Sequence, residues 1–168
     1  MRMLITGAAG SGTSTLARLL GSSLAASIVE ADDYFWLPTS PPFTNKREPQ
    51  ERLALILSDL DRMPSAVIAG SIVDWGLELE DSLSLIVFLI VPAAVRVERL
   101  RQREQLQFGR INPDFLQWAA QYDDGQLPGR SRAKHECWLS RRSAPILRIE
   151  GEVAVEEAAR RVLAELNR

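Results

Sequence analysis

Apolar positions recur along the chain in two rhythms: short unbroken runs, and stripes spaced by three and four. Met3-Leu4-Ile5 opens the chain as a run the length of a buried strand, from about Arg2 to Thr6. A loop with Gly7, Gly10 and Gly12 follows. Leu16, Leu19, Leu20 and Leu24 then predict a helix over about Thr13 to Leu24. Ser27 to Ala31 reads as a second strand ending at Asp32 and Asp33, and the prolines Pro38, Pro41 and Pro42 make Tyr34 to Arg47 a loop. Leu53, Ile56, Leu57 and Leu60 form the apolar stripe of a helix over Glu48 to Arg62, broken at Met63-Pro64-Ser65.

Ala66 to Ala69 is the third strand, followed by Gly70-Ser71. Leu83 to Val91 is a continuous apolar run, as expected at the centre of a parallel sheet. Pro92 suits the first turn of a long helix reaching about Phe108. After a break at Gly109 to Pro113, Asn112 and Pro113 read as the cap and first position of a helix carrying Phe115, Trp118, Ala119 and Tyr122 on one side. Asp123 to Arg130 is loop, Ser131 caps a short helix through Leu139, and Ile146 to Ile149 is the last strand. Val155, Ala159, Val162 and Leu166 mark the closing helix. Strands alternating with helices predict an α/β fold with a parallel sheet.

The first turn carries the strongest chemistry. A strand that passes through glycines into a helix presents free backbone N–H groups and the positive end of the helix dipole, which bind phosphate. Gly7-x-x-x-x-Gly12-x-Ser14 has the spacing of a P-loop in all but one position, where Thr13 stands in place of lysine. The cradle is then Gly7, Ala8, Ala9, Gly10, Ser11, Gly12, Thr13, Ser14 and Thr15, with the Ser14 hydroxyl on Mg²⁺ and Thr15 reaching the α-phosphate.

Composition narrows the classes. The 168 residues suit one domain, and a net charge of −2 predicts no strongly basic surface and no nucleic-acid partner. Only Lys46 and Lys134 are lysine among the 20 basic residues, so arginine dominates wherever anions are held. A single cysteine, Cys137, allows no internal disulfide and suits a reducing, cytoplasmic compartment. No signal peptide is expected ahead of the first strand, and the longest apolar run is too short to span a bilayer. His135 and Cys137 have no zinc-like spacing and read as structural.

The elements in this order resemble the adenylate-kinase-like group of P-loop nucleoside and nucleotide kinases over nearly the whole chain. The residues that carry the likeness are the Gly7–Thr15 loop, Asp32-Asp33-Tyr34, and Arg99-Leu100-Arg101-Gln102-Arg103-Glu104 running into Phe108-Gly109-Arg110. Phe115 to Asp123 and Ile149-Glu150-Gly151 are similar to a branch described as AAA-family ATPases or adenylate-kinase-related proteins. The resemblance implies a three-layer P-loop NTPase fold with a five-stranded parallel sheet in order 2-3-1-4-5. It also implies one kinase-like domain over 1–168 with a lid at about 99–132 after strand four, and ATP with Mg²⁺ as the phosphoryl donor to a small-molecule acceptor. A similar loop without lysine occurs in phosphoribulokinases.

On that reading Asp32 or Asp33 is the base for the acceptor hydroxyl, and Asp32 also holds Mg²⁺ through water. Arg96, Arg99 and Arg103 share one helix face without an acid three or four residues away, and Arg110 continues it. Such a row needs acids from elsewhere in the fold or an external anion. In a kinase lid that anion is the triphosphate and one Arg can stack on the adenine; Arg99 then binds the nucleotide, and these arginines, Arg103 and Arg110 among them, with Arg130 or Arg132, supply the charge that Thr13 lacks. Lys46 and Arg47 face an acidic substrate or plain solvent. Ser71, Asp74, Trp75, Gly76, Phe35 and Trp36 line an acceptor pocket, the aromatic rings stacking on a base or packing the core. Two other classes stand beside the kinase: a nucleotide-binding regulatory module without turnover, and a NAD(P)-dependent short-chain dehydrogenase-like protein, in which Asp32 would hold a ribose. The acceptor, ATP against GTP, and the oligomeric state are left open.

Overall fold

The computed structural model describes residues 1–125 and 130–167. The elements run β1 Arg2–Gly7, α1 Thr13–Leu24, β2 Ser27–Glu30, α2 Ala31–Phe35, α3 Pro49–Leu60, β3 Ala66–Ala69 and α4 Leu77–Glu80. They continue as β4 Leu85–Ile90, α5 Ala93–Phe108, α6 Pro113–Ala120, a 3-10 turn at Gln121–Asp124, α7 Arg132–Leu139, β5 Ile146–Glu150 and α8 Val155–Leu166. The five strands form one parallel sheet in order β2-β3-β1-β4-β5. β1 is central, with Ile5 beside Ala69 of β3 and Val87 of β4.

Alternation along β1 explains the three layers. Leu4 faces one way and packs with Ile56 and Leu60 of α3, Phe88 of β4 and Trp138 of α7. Met3 and Ile5 face the other way and pack with Leu16 and Leu20 of α1 and Val162 of α8. Each of these side chains is fully or almost fully buried, and burial of one such group is worth about 1.5–3 kcal/mol. The order 2-3-1-4-5 also separates this sheet from the dinucleotide-binding order 3-2-1-4-5-6, so the dehydrogenase-like reading falls.

The local punctuation matches the expected boundaries. Asn112 caps α6 by accepting from the Phe115 amide at 3.2 Å, and Ser131 caps α7 by accepting from Lys134 at 3.3 Å. Three expectations change. Ala31 starts α2, so Asp32 and Asp33 sit on a helical turn rather than at a strand end. Pro92 caps α5 from outside its first turn. The four-residue α4 is too short to show a period in the sequence. The loop expected over 123–130 opens inside the 3-10 turn, and its residues 126–129 lie outside the described ones.

Candidate nucleotide and acceptor site

The loop from Gly7 to Gly12 joins the central strand to α1 at the carboxyl edge of the sheet. Gly12 enters α1 at φ 95°, and no side chain caps that helix. Its first amides therefore face the loop, as phosphate sites require. The loop is a tight cradle on one side: a Cβ on Gly7 would lie 2.6 Å from Ser11 Oγ, and one on Gly10 would lie 2.6 Å from the Arg96 carbonyl. The Ser11 hydroxyl is buried without a partner among the described residues. Beside the loop opens a cavity of about 330 Å³, lined by Gly12, Thr15, Leu89, Arg99, Val153 and Ala154 among others. Arg99 thus comes to the mouth of the loop, steadied by Glu152 at 3.3 Å.

Ser14 donates to Glu30 Oε2 at 2.7 Å. Glu30 ends β2, and its other oxygen is buried with no hydrogen bond, 3.5 Å from Arg18. The carboxylate brought to the Ser14 hydroxyl is therefore Glu30, where the sequence pointed to Asp32. Asp32 and Asp33 are exposed on α2, and the Asp32 charge partly offsets the burial that lowers the pKa of the half-buried Arg130. No cluster of three or more His, Cys, Asp or Glu that could hold a metal occurs among the described residues.

The arginine row divides. Arg96 is fully buried and spoken for: it pairs with Asp123 at 2.7 Å and donates to the carbonyls of Val91 and Ala119 at 2.9 and 3.0 Å. Acids from elsewhere in the fold thus satisfy Arg96 and Arg99. Arg103 stands about two turns beyond Arg96 on α5, and Arg110 lies past the helix end at Gly109. Both are exposed and carry no ion pair among the described residues.

On the acceptor edge, Lys46 lies 5.7 Å over the Phe35 ring, while Arg47 bonds Glu51 and the Tyr34 carbonyl. Asp74 is exposed with φ 59°, 3.7 Å from Arg141. Trp75 is buried, and Glu80 fixes its turn by accepting from the Trp75 and Gly76 amides at 2.9 and 3.3 Å. Glu80 is held in turn by Arg142 at 2.7 Å.

A family model described as an AAA domain matches residues 3–108. The chain belongs to that family. Uncharacterized protein YqaC of Bacillus subtilis (strain 168) is 38% identical over 97% of this chain and 96% of its own length. Among solved structures, shikimate kinase from Aquifex aeolicus superposes with TM-score 0.59 at 22% identity, over 99% of this chain and 96% of that one. Deoxyadenosine kinase from M. mycoides gives TM-score 0.63 at 12% identity over all of both chains. A gluconokinase from Sinorhizobium meliloti gives 0.58 at 18%, over 99% and 91%. The fold of this AAA-domain chain is that of the P-loop nucleotide kinase group. No described helix is long and apolar enough to cross a membrane.

Within that P-loop fold, His135 was read as merely structural, and it is buried at the functional edge. Its Nε2 shares hydrogen bonds with the hydroxyls of Ser71 at 3.1 Å and Thr6 at 3.4 Å, and its Nδ1 with Tyr122. This ties α7 to the ends of β1 and β3. Burial, then the Arg130 charge, pushes His135 down to about 3. The folded protein therefore holds it neutral at pH values where the unfolded chain, titrating near 6.5, takes up a proton. Stability is unaffected above that value and falls as pH drops below it, by at most about 1.4 kcal/mol per pH unit. The chain has one histidine, so urea midpoints between pH 7 and 5 isolate the effect. His135→Gln is expected to flatten that slope; an unchanged slope would show that His135 is not its source.

Proposed function

We propose that this chain is an ATP-dependent phosphotransferase acting on a small hydroxylated metabolite. The observation that supports it most is the uncapped α1 N-terminus behind the Gly7–Gly12 cradle, opening onto the cavity lined by Arg99. Backbone amides of Gly10 and of Gly12 to Ser14 hold the phosphates, the Ser11 amide being taken by the Ala8 carbonyl, and the orphaned Ser11 hydroxyl has an acceptor there. Ser14 and Glu30 are the residues that would hold Mg²⁺, which supplies charge neutralisation on the phosphates when bound. Arg99 covers the nucleotide at the cavity mouth. Asp33 or Asp32 accepts the proton of the attacking hydroxyl, whose oxygen bonds the γ-phosphorus as the bond to ADP breaks.

Thr13 supplies no charge, so the segment over 99–132 acts as the lid, with Arg103, Arg110, Arg130 and Arg132 as the candidate replacements. Arg130 already lies within electrostatic range of Asp32. Radiolabelled γ-phosphoryl transfer to a panel of sugar acids, sugar phosphates, polyols and nucleosides tests the assignment. One panel class is expected to turn over, and Ser14→Ala is expected to lower kcat by about 100-fold or more. Tight Mg-ATP binding with no transfer to any class would favour the nucleotide-binding regulatory module instead.

A further inference from the structure

The acceptor edge contains a buried cation that none of the roles above uses. Arg52 projects from α3 with 7% of its surface exposed. Its guanidinium lies 4.2 Å from the Trp75 ring centroid and 5.0 Å from that of Phe35. The Arg52 guanidinium has no hydrogen bond and no carboxylate among the described residues, and its Nε is sealed from solvent with nothing to donate to. The contrast with its peers is sharp: buried Arg96 has Asp123 and buried Arg142 has Glu80. A guanidinium carries five N–H donors, and ring faces satisfy none of them as an oxyanion does. A buried charge left this way is costly unless a partner arrives.

The surroundings are built rather than loose. Glu80 anchors the Trp75 turn, and the Arg142 ion pair behind it is itself 4% exposed on both sides. Phe35 stacks on Trp75 at 6.3 Å with 21° between planes, and Trp36 meets Phe35 edge-on at 4.8 Å. Lys46, also without a carboxylate among the described residues, faces the Phe35 ring. The rings thus have their faces covered by one another and by two cations, and Trp75 is only 6% exposed. Trp75, buried against Phe35 and Arg52, offers no open face to a base.

We propose that the phosphoryl acceptor is a compact oxyanion bearing a hydroxyl, a sugar acid or a sugar phosphate, whose anionic group is taken by Arg52 with Lys46. This rests on the kinase reading of the same site, and it replaces the expectation that Phe35 and Trp75 stack on a nucleoside. Arg52 lies one turn before Ile56 on the apolar stripe of α3, and that position put the charge among the packed rings.

The test reads Arg52 directly. In the full chain uniformly labelled with ¹⁵N, the Arg52 Nε–Hε cross-peak is assigned by its loss in Arg52→Lys. Gluconate and ribose 5-phosphate are titrated beside the uncharged ribitol and adenosine. Saturable movement with an anion and none with the uncharged pair is expected, and the anion that acts says whether the carboxylate or the phosphate is read. A cross-peak unmoved by both anions, or moved as much by adenosine, overturns the proposal. Backbone amides of Gly10 to Ser14 are followed in the same sample with Mg-ATP. If they respond while Arg52 is silent, the anion site is wrong and the kinase reading survives. If Arg52 responds while they are silent, the kinase reading fails and the anion site stands. Arg52→Met, which removes an unpaired buried charge, is expected to raise Tm by a few degrees and weaken anion binding by more than about tenfold. A lower Tm with unchanged anion affinity would make Arg52 a structural strut and contradict the proposal.

Discussion

Gly10→Ala is expected to weaken Mg-ATP binding by about 100-fold or more, while Gly109→Ala leaves it within about twofold. The pair is informative because both glycines are left-handed, with φ 81° and 66°. Alanine at either site costs about 1–2 kcal/mol of backbone strain. At Gly109 nothing lies within 4 Å of the added methyl, so strain is the whole effect. At Gly10 the methyl would meet the Arg96 carbonyl oxygen at 2.6 Å and Leu100 Cγ at 3.0 Å. Arg96 is locked into the fold, so α5 cannot yield and the loop must move. A cradle displaced by about 1 Å loses its alignment on the phosphates, a loss of about 100-fold. Calorimetric titration of both variants checks this; equal affinities would show that the loop does not hold the nucleotide.

Arg96→Ala is expected to destabilise the protein by about 3–5 kcal/mol, the range for breaking one side of a buried ion pair. The side chain joins four groups: Asp123, the Val91 carbonyl, the Ala119 carbonyl, and more weakly the Ala9 carbonyl at 3.5 Å. It also lies 5.2 Å from the Tyr122 ring centroid. Removing it leaves those carbonyls without a donor, at α6 and at the phosphate loop together. Lysine cannot present the same fork, so Arg96→Lys should recover only part of the loss. Asp123→Asn keeps an acceptor at this place but leaves the fully buried guanidinium without its counter-charge, so it should cost about 3 kcal/mol, the lower end of the same range. Urea midpoints order the three variants. An Arg96→Ala protein as stable as the wild type would show that the buried guanidinium contributes no net stability.

How far the sequence reached depends on how local each signal is. β1, the loop and α1 lie within 24 consecutive residues, and their spacing carries the motif unaided. The caps of α6 and α7 were legible for the same reason: a capping side chain bonds an amide three residues on. The arginine row was legible as a question, since the missing local acids could be supplied by the fold or by a ligand. Only the structure shows Asp123 answering Arg96 from 27 positions away and Glu152 answering Arg99 from 53. Glu30 was missed because the next two carboxylates, Asp32 and Asp33, drew the assignment; its contact with Ser14 depends on where β2 ends. Arg52 had a faint signal, a charge in register with an apolar stripe. The contact between Ser71 and His135 had none, the two being 64 residues apart.

The most direct test of the central claim is calorimetry on the wild-type chain with ATP, with and without Mg²⁺, beside NADH. Micromolar, Mg²⁺-dependent ATP binding, worth about −8 kcal/mol, with no heat from NADH is the result expected of the Gly7–Thr15 loop. Absence of ATP binding in the presence of Mg²⁺ would contradict it: the cradle would then be a relic of the fold, and Thr13 the place where its ligand was lost.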